Sequence, residues 1–359
     1  MTFCAWAQPD LSVMHALIEP FRHGAMAGVA VVAAAAALTG LLIVWLRPWL
    51  VRYAMARPNA RSSHRTPTPQ GGGIAVIGSF VVVSILAMLL SGQFSATTIS
   101  AVAAAFGAAI LIAVLGAVDD IRPIAVVPRL AIQILAVSIV ILSLPAEFQM
   151  TPFLPWWLER IMLILAGTWF VNLVNFMDGL DWMTVAEFVP LTAGLVLLGA
   201  TGALPPYAIV CALALLGALI GFAPFNRPVA RLFLGDVGSL PIGLIIGWLL
   251  ALLADKGHLA AAILLPLYYL VDATVTLIRR LAKGERVWQA HRTHFYQRAT
   301  DNGFSVRQVI ARVFIVNILL VVLAAICVRI NTPIAEIAAL AAGAAIVGSL
   351  LMRFSRRLT

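Results

Sequence analysis

The chain has 359 residues, of which 62% are hydrophobic and only 11% are charged. Soluble globular domains carry about 25% charged residues, so this composition excludes a soluble protein and indicates an integral membrane protein. The 24 Lys and Arg residues outnumber the 15 Asp and Glu residues, which gives a formal net charge of +9. Membrane proteins that follow the positive-inside rule carry a basic excess of this kind, so no nucleic-acid partner is expected.

Apolar segments recur along the whole chain. A membrane-spanning helix needs about 20 mostly apolar residues. We predict about 10 to 11 such helices in a single membrane domain that covers residues 1–359, at approximately 28–46, 73–91, 97–118, 130–146, 159–176, 188–201, 205–224, 237–254, 259–278, 309–329 and 334–352. The predicted fold class is therefore all-α and polytopic.

Basic residues are distributed unevenly between alternate connections. If residues 1–27 form a short periplasmic segment, four basic residues fall outside, namely Arg22, Arg160, Lys256 and Arg329, and the other twenty fall inside. The positive-inside rule then predicts a bacterial inner-membrane protein whose C-terminus lies in the cytoplasm. The largest cytoplasmic loop is predicted at about 279–308, and its basic face would suit an anionic substrate or membrane lipid.

Five aspartates mark short polar segments between the apolar spans. Asp119 and Asp120 are adjacent where the third span ends, and Asp178, Asp181 and Asp236 lie at the ends of later spans. In the predicted topology all five lie at the cytoplasmic boundary. A single Asp can merely mark where a helix leaves the lipid, but adjacent carboxylates raise each other's pKa unless a cation compensates. The Asp pair therefore indicates a bound divalent metal or a base with a shifted pKa.

Polar side chains recur at every third position between residues 172 and 181. They are Asn172, Asn175, Asp178 and Asp181, in the segment NLVNFMDGLD. On a helix this spacing would form one connected polar strip, whereas a helix cap would need only one of the four residues. Amides donate and accept hydrogen bonds and carboxylates accept them, so the strip predicts contacts with a nucleotide, a sugar or metal-bound water.

The next polar segment runs from Phe225 to Ser239 and contains Asn226 and Asp236. Glycines on both sides of Asp236 would let the backbone approach a ligand, and the start of the following helix offers N–H groups to phosphate. The segment predicts a diphosphate and metal corner. An ordinary Asp helix cap explains the same spacing equally well.

A basic loop at residues 61–73 contains His64, Thr66 and Thr68 and ends in three glycines. It lacks the GK[ST] ending of an ATP-binding loop, so ATP-type phosphate binding is not indicated. Two interpretations remain, a substrate-binding loop and a flexible loop that carries positive-inside charge.

The largest predicted loop contains His291 and His294 on either side of Arg292. Two imidazoles at this spacing could bind a metal, and the arginine between them suits phosphate recognition equally well. The loop alone does not decide between the two.

Five segments in a fixed order carry a family resemblance. They are HRTPTPQGG at 64–72, the Asp pair at 119–120, NLVNFMDGLD at 172–181, FNRPVARLFLGDVGSL at 225–240 and HRTHFYQR at 291–298. Together they resemble the polyprenyl-phosphate N-acetylhexosamine-1-phosphate transferases, a superfamily that includes the phospho-MurNAc-pentapeptide translocase. The resemblance implies transfer of a sugar 1-phosphate from a UDP-amino sugar to undecaprenyl or another polyprenyl phosphate, with release of UMP. It also implies a need for Mg²⁺ or Mn²⁺ and allows a homodimer, since relatives commonly dimerise.

The last loop bears on the subfamily. The peptidoglycan translocase has adjacent histidines there, whereas the His-Arg-Thr-His order at 291–294 is similar to the enzymes that initiate O-antigen and other surface polysaccharides. Trp182 departs from the pattern, because many relatives have Gly after the second Asp. This departure weakens any transfer of sugar specificity, so GlcNAc, GalNAc and 6-deoxy amino sugars such as FucNAc or QuiNAc all stay open.

The resemblance implies roles for individual residues. Asp236 is the leading metal ligand with Asn175 beside it, and Asp119 with Asp120 would position or deprotonate the lipid phosphate, so the predicted catalytic residues are Asp119, Asp120 and Asp236. The predicted substrate-binding residues are His64, Thr66, Thr68, Asn172, Asn175, Asp178, Asp181, Asn226, His291, Arg292 and His294. A phosphate monoester is largely a dianion at neutral pH and needs little base activation, so direct displacement is favoured. A phospho-enzyme formed on an aspartate stays open.

A multi-pass transporter or lipid flippase is the competing interpretation. Such proteins also use rare membrane carboxylates, usually near the midplane of broken or repeated helices. Here five aspartates lie at one predicted face and the sequence shows no repeat. Asp272 is the exception, because it falls within the ninth predicted span. We predict that it supports the site from below, and the pattern as a whole favours a transferase.

Overall fold

The computed structural model describes residues 11–56, 67–92, 95–145, 147–151, 154–286 and 291–358. Its elements in chain order are α1 (Leu11–Tyr53), β1 (Met55–Ala56), β2 (Thr68–Pro69), α2 (Gly73–Ser91), α3 (Ala96–Ile121), α4 (Val126–Leu142), α5 (Trp156–Met177), α6 (Met183–Ala200), α7 (Pro206–Asn226), α8 (Asp236–Asp255), α9 (Leu259–Leu264), α10 (Leu267–Ala282), α11 (Phe295–Asp301), α12 (Val306–Ile330) and α13 (Pro333–Phe354). The two strands form one short antiparallel pair, in which Met55 faces Pro69 and Ala56 faces Thr68.

Nine helices in the described part of the chain are long and apolar enough to cross a membrane. They are α1 from Gly24 onward, α2, α3, α5, α6, α7, α8, α12 and α13. The apolar helix α4 has 17 residues and is shorter than these. The prediction of an all-α, polytopic membrane protein is therefore confirmed.

One predicted span is not a single helix. The segment predicted at 259–278 is broken into α9, which ends at Leu264, and α10, which begins at Leu267. Pro266 lies at the break, where its missing N–H and its ring interrupt a helix. In addition, α10 is amphipathic rather than uniformly apolar, since it carries the buried Asp272 and two arginines in its last turn.

Helix α8 lies at the centre of the bundle. In its most apolar window 94% of the residues are buried, compared with 17% in the part of α1 that begins at Gly24. Helices α2, α3 and α5 all pack against α8. Because α8 begins at Asp236, the central helix places this carboxylate in the middle of one end of the bundle.

Glycines allow this close packing. A Cβ atom at Gly116 of α3 would overlap the backbone of Asp236, and a Cβ atom at Gly73 of α2 would overlap the backbone of Gly238. Neither overlap involves a side chain that could rotate away. The two helices can therefore approach the start of α8 only because both positions lack a side chain.

The polar segments meet at one end of the bundle. The Gln70 side chain donates to the Asp120 carbonyl oxygen at 2.6 Å, and the Tyr296 hydroxyl donates to the Phe176 carbonyl oxygen at 3.0 Å. Near the C-terminus, the Leu358 N–H donates to the Asn302 carbonyl oxygen at 2.8 Å. Loops that are far apart in sequence thus form one polar face, and its orientation toward the cytoplasm remains a prediction.

Candidate active site

Asp119, in the last turn of α3, is held by groups that follow it in the chain. Its carboxylate accepts from the Ile124 N–H at 2.5 Å and from the Arg129 guanidinium at 2.8 Å. The same guanidinium nitrogen lies 3.9 Å from the Asp236 carboxylate. Arg129 therefore bridges the end of α3 and the start of α8.

Asp120 caps helix α8. Its carboxylate accepts from the N–H groups of Asp236 at 3.0 Å and Val237 at 3.2 Å. Gly235 precedes the helix with a φ of 79°, a conformation that favours glycine, and a Cβ atom there would overlap the Asp120 carboxylate. The N–H groups that the sequence offered to phosphate are therefore already bonded to the protein's own carboxylate. The predicted catalytic role of Asp120 stays a prediction.

Asp236 is the carboxylate on which several elements converge. The Asn175 amide of α5 donates to it at 2.7 Å and to the Ser239 hydroxyl at 3.0 Å. Both bonds use the amide nitrogen, so the amide oxygen is the atom of Asn175 that could serve a cation. The Asp236 side chain is 26% exposed and the Asp119 side chain 9%, so Asp236 is the more accessible partner of Arg129.

Asp178 lies next to this group but outside the helix. Helix α5 ends at Met177, so the predicted polar strip does not continue, and only its first two members, Asn172 and Asn175, are helical. The Thr184 hydroxyl donates to the Asp178 carboxylate. Burial, together with the negative charges of Asp236, Asp120 and Asp181, raises the pKa of Asp178 to about 7 despite that hydrogen bond. A bound cation would favour its ionised form.

Two predicted substrate-binding residues make contacts within the protein. The Ala230 N–H donates to the buried Asp181 carboxylate at 3.0 Å. The Asn226 side chain accepts from the Trp182 N–H at 2.8 Å and donates to the Leu232 carbonyl oxygen at 2.9 Å. These bonds join the turn after α5 to the loop between α7 and α8. The two residues therefore fix the position of these segments relative to each other.

Trp182 stands where the resemblance expects glycine. Its φ of 62° lies in the left-handed region that favours glycine. The indole N–H donates to the Ala223 carbonyl oxygen at 2.6 Å, which ties the ring to the end of α7. The departure in sequence is therefore accommodated by a specific contact.

The loop that ends in Gly71, Gly72 and Gly73 packs against the segment before Asp236. The N–H groups of Gly72 and Gly73 donate to the carbonyl oxygens of Phe233 and Leu234, each at 2.9 Å. Thr68 is buried in β2. His64 and Thr66 lie outside the described residues.

The loop that carries His291, Arg292 and His294, called the histidine loop below, leads into α11, which packs against the end of α5. His291 and His294 stack with ring centroids 4.8 Å apart, and His294 is buried. Arg292 forms an ion pair with Asp301 at 3.3 Å. The Tyr296 hydroxyl of α11, which follows this loop, donates to the Phe176 carbonyl oxygen at the end of α5, so the loop leads into a helix that contacts the polar end of α5.

Two residues of α4 belong to this region although their side chains carried no predicted role. In the sequence, Arg129 is one of the twenty basic residues that the positive-inside rule places on the inner side. The buried Gln133 side chain accepts a hydrogen bond from the Asn172 amide at 2.7 Å. Its own amide nitrogen has no hydrogen-bond partner among the described residues. An uncharged polar residue inside an apolar span is the signal that could have identified Gln133.

The donor set fits Mg²⁺ or Mn²⁺. Within the described ranges, no three His, Cys, Asp or Glu side chains form a group that could hold a metal alone. Mg²⁺ is usually held by one or two carboxylates together with water and substrate phosphate, so such a group is not required. Asp236 and the amide oxygen of Asn175 supply hard oxygen atoms in a region where Arg129 is shared by two carboxylates.

An apolar cavity of about 270 Å³ lies deeper in the bundle, between α4, α5, α8, α9 and α10. Its lining includes Val137, Phe170 and Gly243. Gly243 is two helical turns beyond Asp236 on α8, which corresponds to roughly 10 Å at a rise of 1.5 Å per residue. The polar site and the apolar cavity thus lie along the same helix.

The chain is similar in sequence to several known transferases. Residues 102–254 match the family described as glycosyl transferase family 4. The decaprenyl-phosphate N-acetylglucosaminephosphotransferase of Mycolicibacterium smegmatis is 29% identical over 338 residues, which cover 82% of this chain and 80% of that protein. The probable undecaprenyl-phosphate N-acetylglucosaminyl 1-phosphate transferase of Bacillus subtilis is 27% identical, over 74% of both chains. The phospho-N-acetylmuramoyl-pentapeptide-transferase of Campylobacter jejuni is 29% identical over 58% of this chain and 69% of its own.

Proposed function

Because this chain belongs to the polyprenyl-phosphate hexosamine-1-phosphate transferases of glycosyl transferase family 4, we propose that it transfers an N-acetylhexosamine 1-phosphate from a UDP-sugar to undecaprenyl or another polyprenyl phosphate. UMP would be the second product. The lipid-linked sugar would start a surface glycan of the O-antigen type. In this proposal the protein lies in the bacterial inner membrane with its polar face toward the cytoplasm, where UDP-sugars are made.

The observation that carries the proposal is that the polar site and the apolar cavity lie along the same helix, α8. Asp236 lies at the polar end among Asn175, Arg129 and Asp119, and the apolar cavity begins about two turns deeper. The acceptor is itself an amphiphile, with a phosphate at one end of a long hydrocarbon chain. A site of this shape could hold the phosphate at the polar end and the first part of the chain in the cavity.

A divalent cation would be held by Asp236 and Asn175 together with phosphate oxygens of the substrates. When bound, it would supply positive charge to the diphosphate, which spreads negative charge over its oxygens during transfer. Asp178, which lies beside this pair, becomes ionised more readily when positive charge is near. The prediction of Mg²⁺ or Mn²⁺ is therefore part of the proposal.

The chain's own residues would align two anionic substrates. An oxygen of the acceptor phosphate attacks the phosphorus attached to the sugar, and the bond from that phosphorus to the bridging oxygen breaks. The bridging oxygen keeps the electron pair and leaves as part of UMP. Because the acceptor is largely a dianion, no strong base is needed. Arg129, placed between Asp119 and Asp236, can offer its guanidinium to a phosphate, and Asp120 keeps the start of α8 in place.

Purified protein in detergent should transfer a labelled amino sugar into an organic-soluble product. The reaction is expected to require undecaprenyl phosphate, to stop when EDTA removes divalent ions, and to resume when Mg²⁺ is restored. UDP-GlcNAc, UDP-GalNAc and UDP-linked 6-deoxy amino sugars, tested side by side, would identify the donor. A protein shown to be folded that gives no lipid-linked product with any of these donors would contradict the proposal and favour transport.

A further inference from the structure

A fully buried carboxylate lies behind the histidine loop. Asp272 of α10 is 0% exposed. It accepts from the N–H groups of Phe295 at 3.0 Å and Tyr296 at 3.2 Å, which open α11. It also accepts from the hydroxyls of Tyr268 at 3.2 Å and Thr276 at 3.4 Å. A buried carboxylate needs such donors, and here most of the donors come from α10 itself and from the start of α11.

Asp272 also fixes one nitrogen of the His294 ring. The Nδ1 atom lies 3.3 Å from the Asp272 carboxylate. A carboxylate only accepts hydrogen bonds, so Nδ1 must carry the proton in this contact. The ring is held from its faces as well, because it stacks on His291 at 4.8 Å and on Tyr296 at 5.7 Å between centroids. Nε2 is then the ring nitrogen left for a further partner.

The loop is also fixed relative to the proposed active site. The Tyr296 hydroxyl donates to the Phe176 carbonyl oxygen at 3.0 Å, at the end of α5. A Cβ atom at Gly179 would overlap that hydroxyl, so only glycine allows this approach. This contact therefore holds the start of α11, two residues after His294, against the end of α5, where Asn175 and Asp178 lie.

We infer that Asp272 is a positioning residue that holds His294 with Nδ1 inward, so that Nε2 is the nitrogen that meets the UDP-sugar. This inference rests on the proposed function. The arrangement resembles other carboxylate–histidine pairs, in which the carboxylate sets the tautomer and orientation of the ring. A helix-capping role alone would require the N–H contacts of Asp272 but not its contact with His294.

The first test is the protonation of the His294 ring in the wild-type protein. Histidine labelled with ¹⁵N gives signals that distinguish the protonated from the unprotonated ring nitrogen, and the chain has only six His residues. Loss of one set of signals in His294→Gln assigns them. We expect a protonated Nδ1 in protein reconstituted in lipid nanodiscs. An unprotonated Nδ1 would overturn the inference, and this measurement needs no turnover.

The second test is kinetic and uses a matched control on the same helix. Asp272→Asn should lower kcat by roughly 10- to 100-fold, the usual cost of removing a partner that orients a histidine. Tyr268→Phe removes a different hydrogen bond to the same carboxylate and should leave kcat close to that of the wild type. If Asp272 acts through His294, the Asp272→Asn/His294→Gln double variant should be no slower than the slower single variant.

The outcomes separate the two proposals. Independent, multiplying losses in the double variant, or a wild-type kcat in folded Asp272→Asn, would overturn the role of Asp272 while leaving the transferase intact. A wild-type protein without transfer activity would contradict the proposed function, and the ring signals would still show whether Asp272 holds His294.

Discussion

Replacing Asp236 by Asn should reduce sugar 1-phosphate transfer by roughly 100- to 1,000-fold, the range found when one preorganised electrostatic group is removed from an active site. The physical reason is that Asp236 is the accessible carboxylate to which Asn175 donates and near which Arg129 lies. The substitution keeps the shape of the side chain and removes one charge from a group of like charges. It should therefore leave the thermal unfolding midpoint in detergent unchanged or raise it.

Asp255→Asn is the matched control for this variant. Asp255 is the same residue type at the other end of the same helix, and it is exposed. Its replacement should leave both the transfer rate and the unfolding midpoint near the wild-type values. Equal activity of the two variants would contradict the role of Asp236. A large loss of stability in Asp236→Asn alone would indicate that the carboxylate serves mainly to hold the fold.

Gly116→Ala should destabilise the protein by about 3 kcal/mol, at the upper end of what overpacking usually costs. The added methyl group would overlap the backbone of Asp236, which cannot rotate away as a side chain could. Helices α3 and α8 would have to separate, and Asp120 would lose its bonds to the N–H groups of Asp236 and Val237. The folded fraction of this variant is therefore expected to lose transfer activity as well.

Gly107→Ala on the same helix controls for the change of residue type. Among the described residues, no atom outside the neighbouring backbone of α3 lies within 4 Å of a Cβ atom at Gly107. Because alanine favours a helix by up to about 1 kcal/mol over glycine, this variant should be as stable as the wild type or more so. Thermal unfolding of both variants in the same detergent measures the difference. A Gly116→Ala protein as stable as Gly107→Ala would show that α3 and α8 are not in close contact at this point.

Much of the fold could be predicted from the sequence, because the bilayer imposes a length and a composition on each spanning helix. The span predicted at 73–91 coincides with α2, and that predicted at 237–254 lies within α8. The exception at 259–278 has a local cause, since Pro266 breaks the helix and Asp272 gives α10 a polar side. Hydropathy summed over a window registers neither effect.

The candidate site was predicted in part. The sequence was enough to predict that the aspartates group at one face, and the Arg129 guanidinium does lie between the carboxylates of Asp119 and Asp236. Which carboxylate does what could not be predicted, because that depends on contacts between distant parts of the chain. Asp120 caps a helix that begins 116 positions later, and this pairing has no signature in the spacing of residues. For the same reason the spacing of residues does not show that Asp181 accepts from the Ala230 N–H and Asn226 from the Trp182 N–H. Their contacts with a substrate stay a prediction.

Arg129 and Gln133 show a different limit. Both lie on α4, whose sequence is otherwise apolar apart from one serine, and a positive-inside interpretation gave Arg129 a sufficient explanation. Only the packing of α4 against α5 reveals that Gln133 bonds Asn172. A basic residue that the positive-inside rule explains can also lie in the candidate active site, as Arg129 does. Sequence patterns alone do not distinguish these two roles.

The nucleotide that is released distinguishes transfer of a sugar 1-phosphate from transfer of the sugar alone. Purified protein is incubated with undecaprenyl phosphate, Mg²⁺ and the UDP-amino sugar that it uses, with the phosphate next to the sugar carrying the label. Transfer of a sugar 1-phosphate predicts that UMP appears in equal amount with lipid product, that the label moves into that product, and that neither forms without the lipid. Release of UDP with unlabelled lipid product would mean that the sugar alone is transferred. Nucleotide release that does not depend on the lipid would contradict the proposed transfer to polyprenyl phosphate.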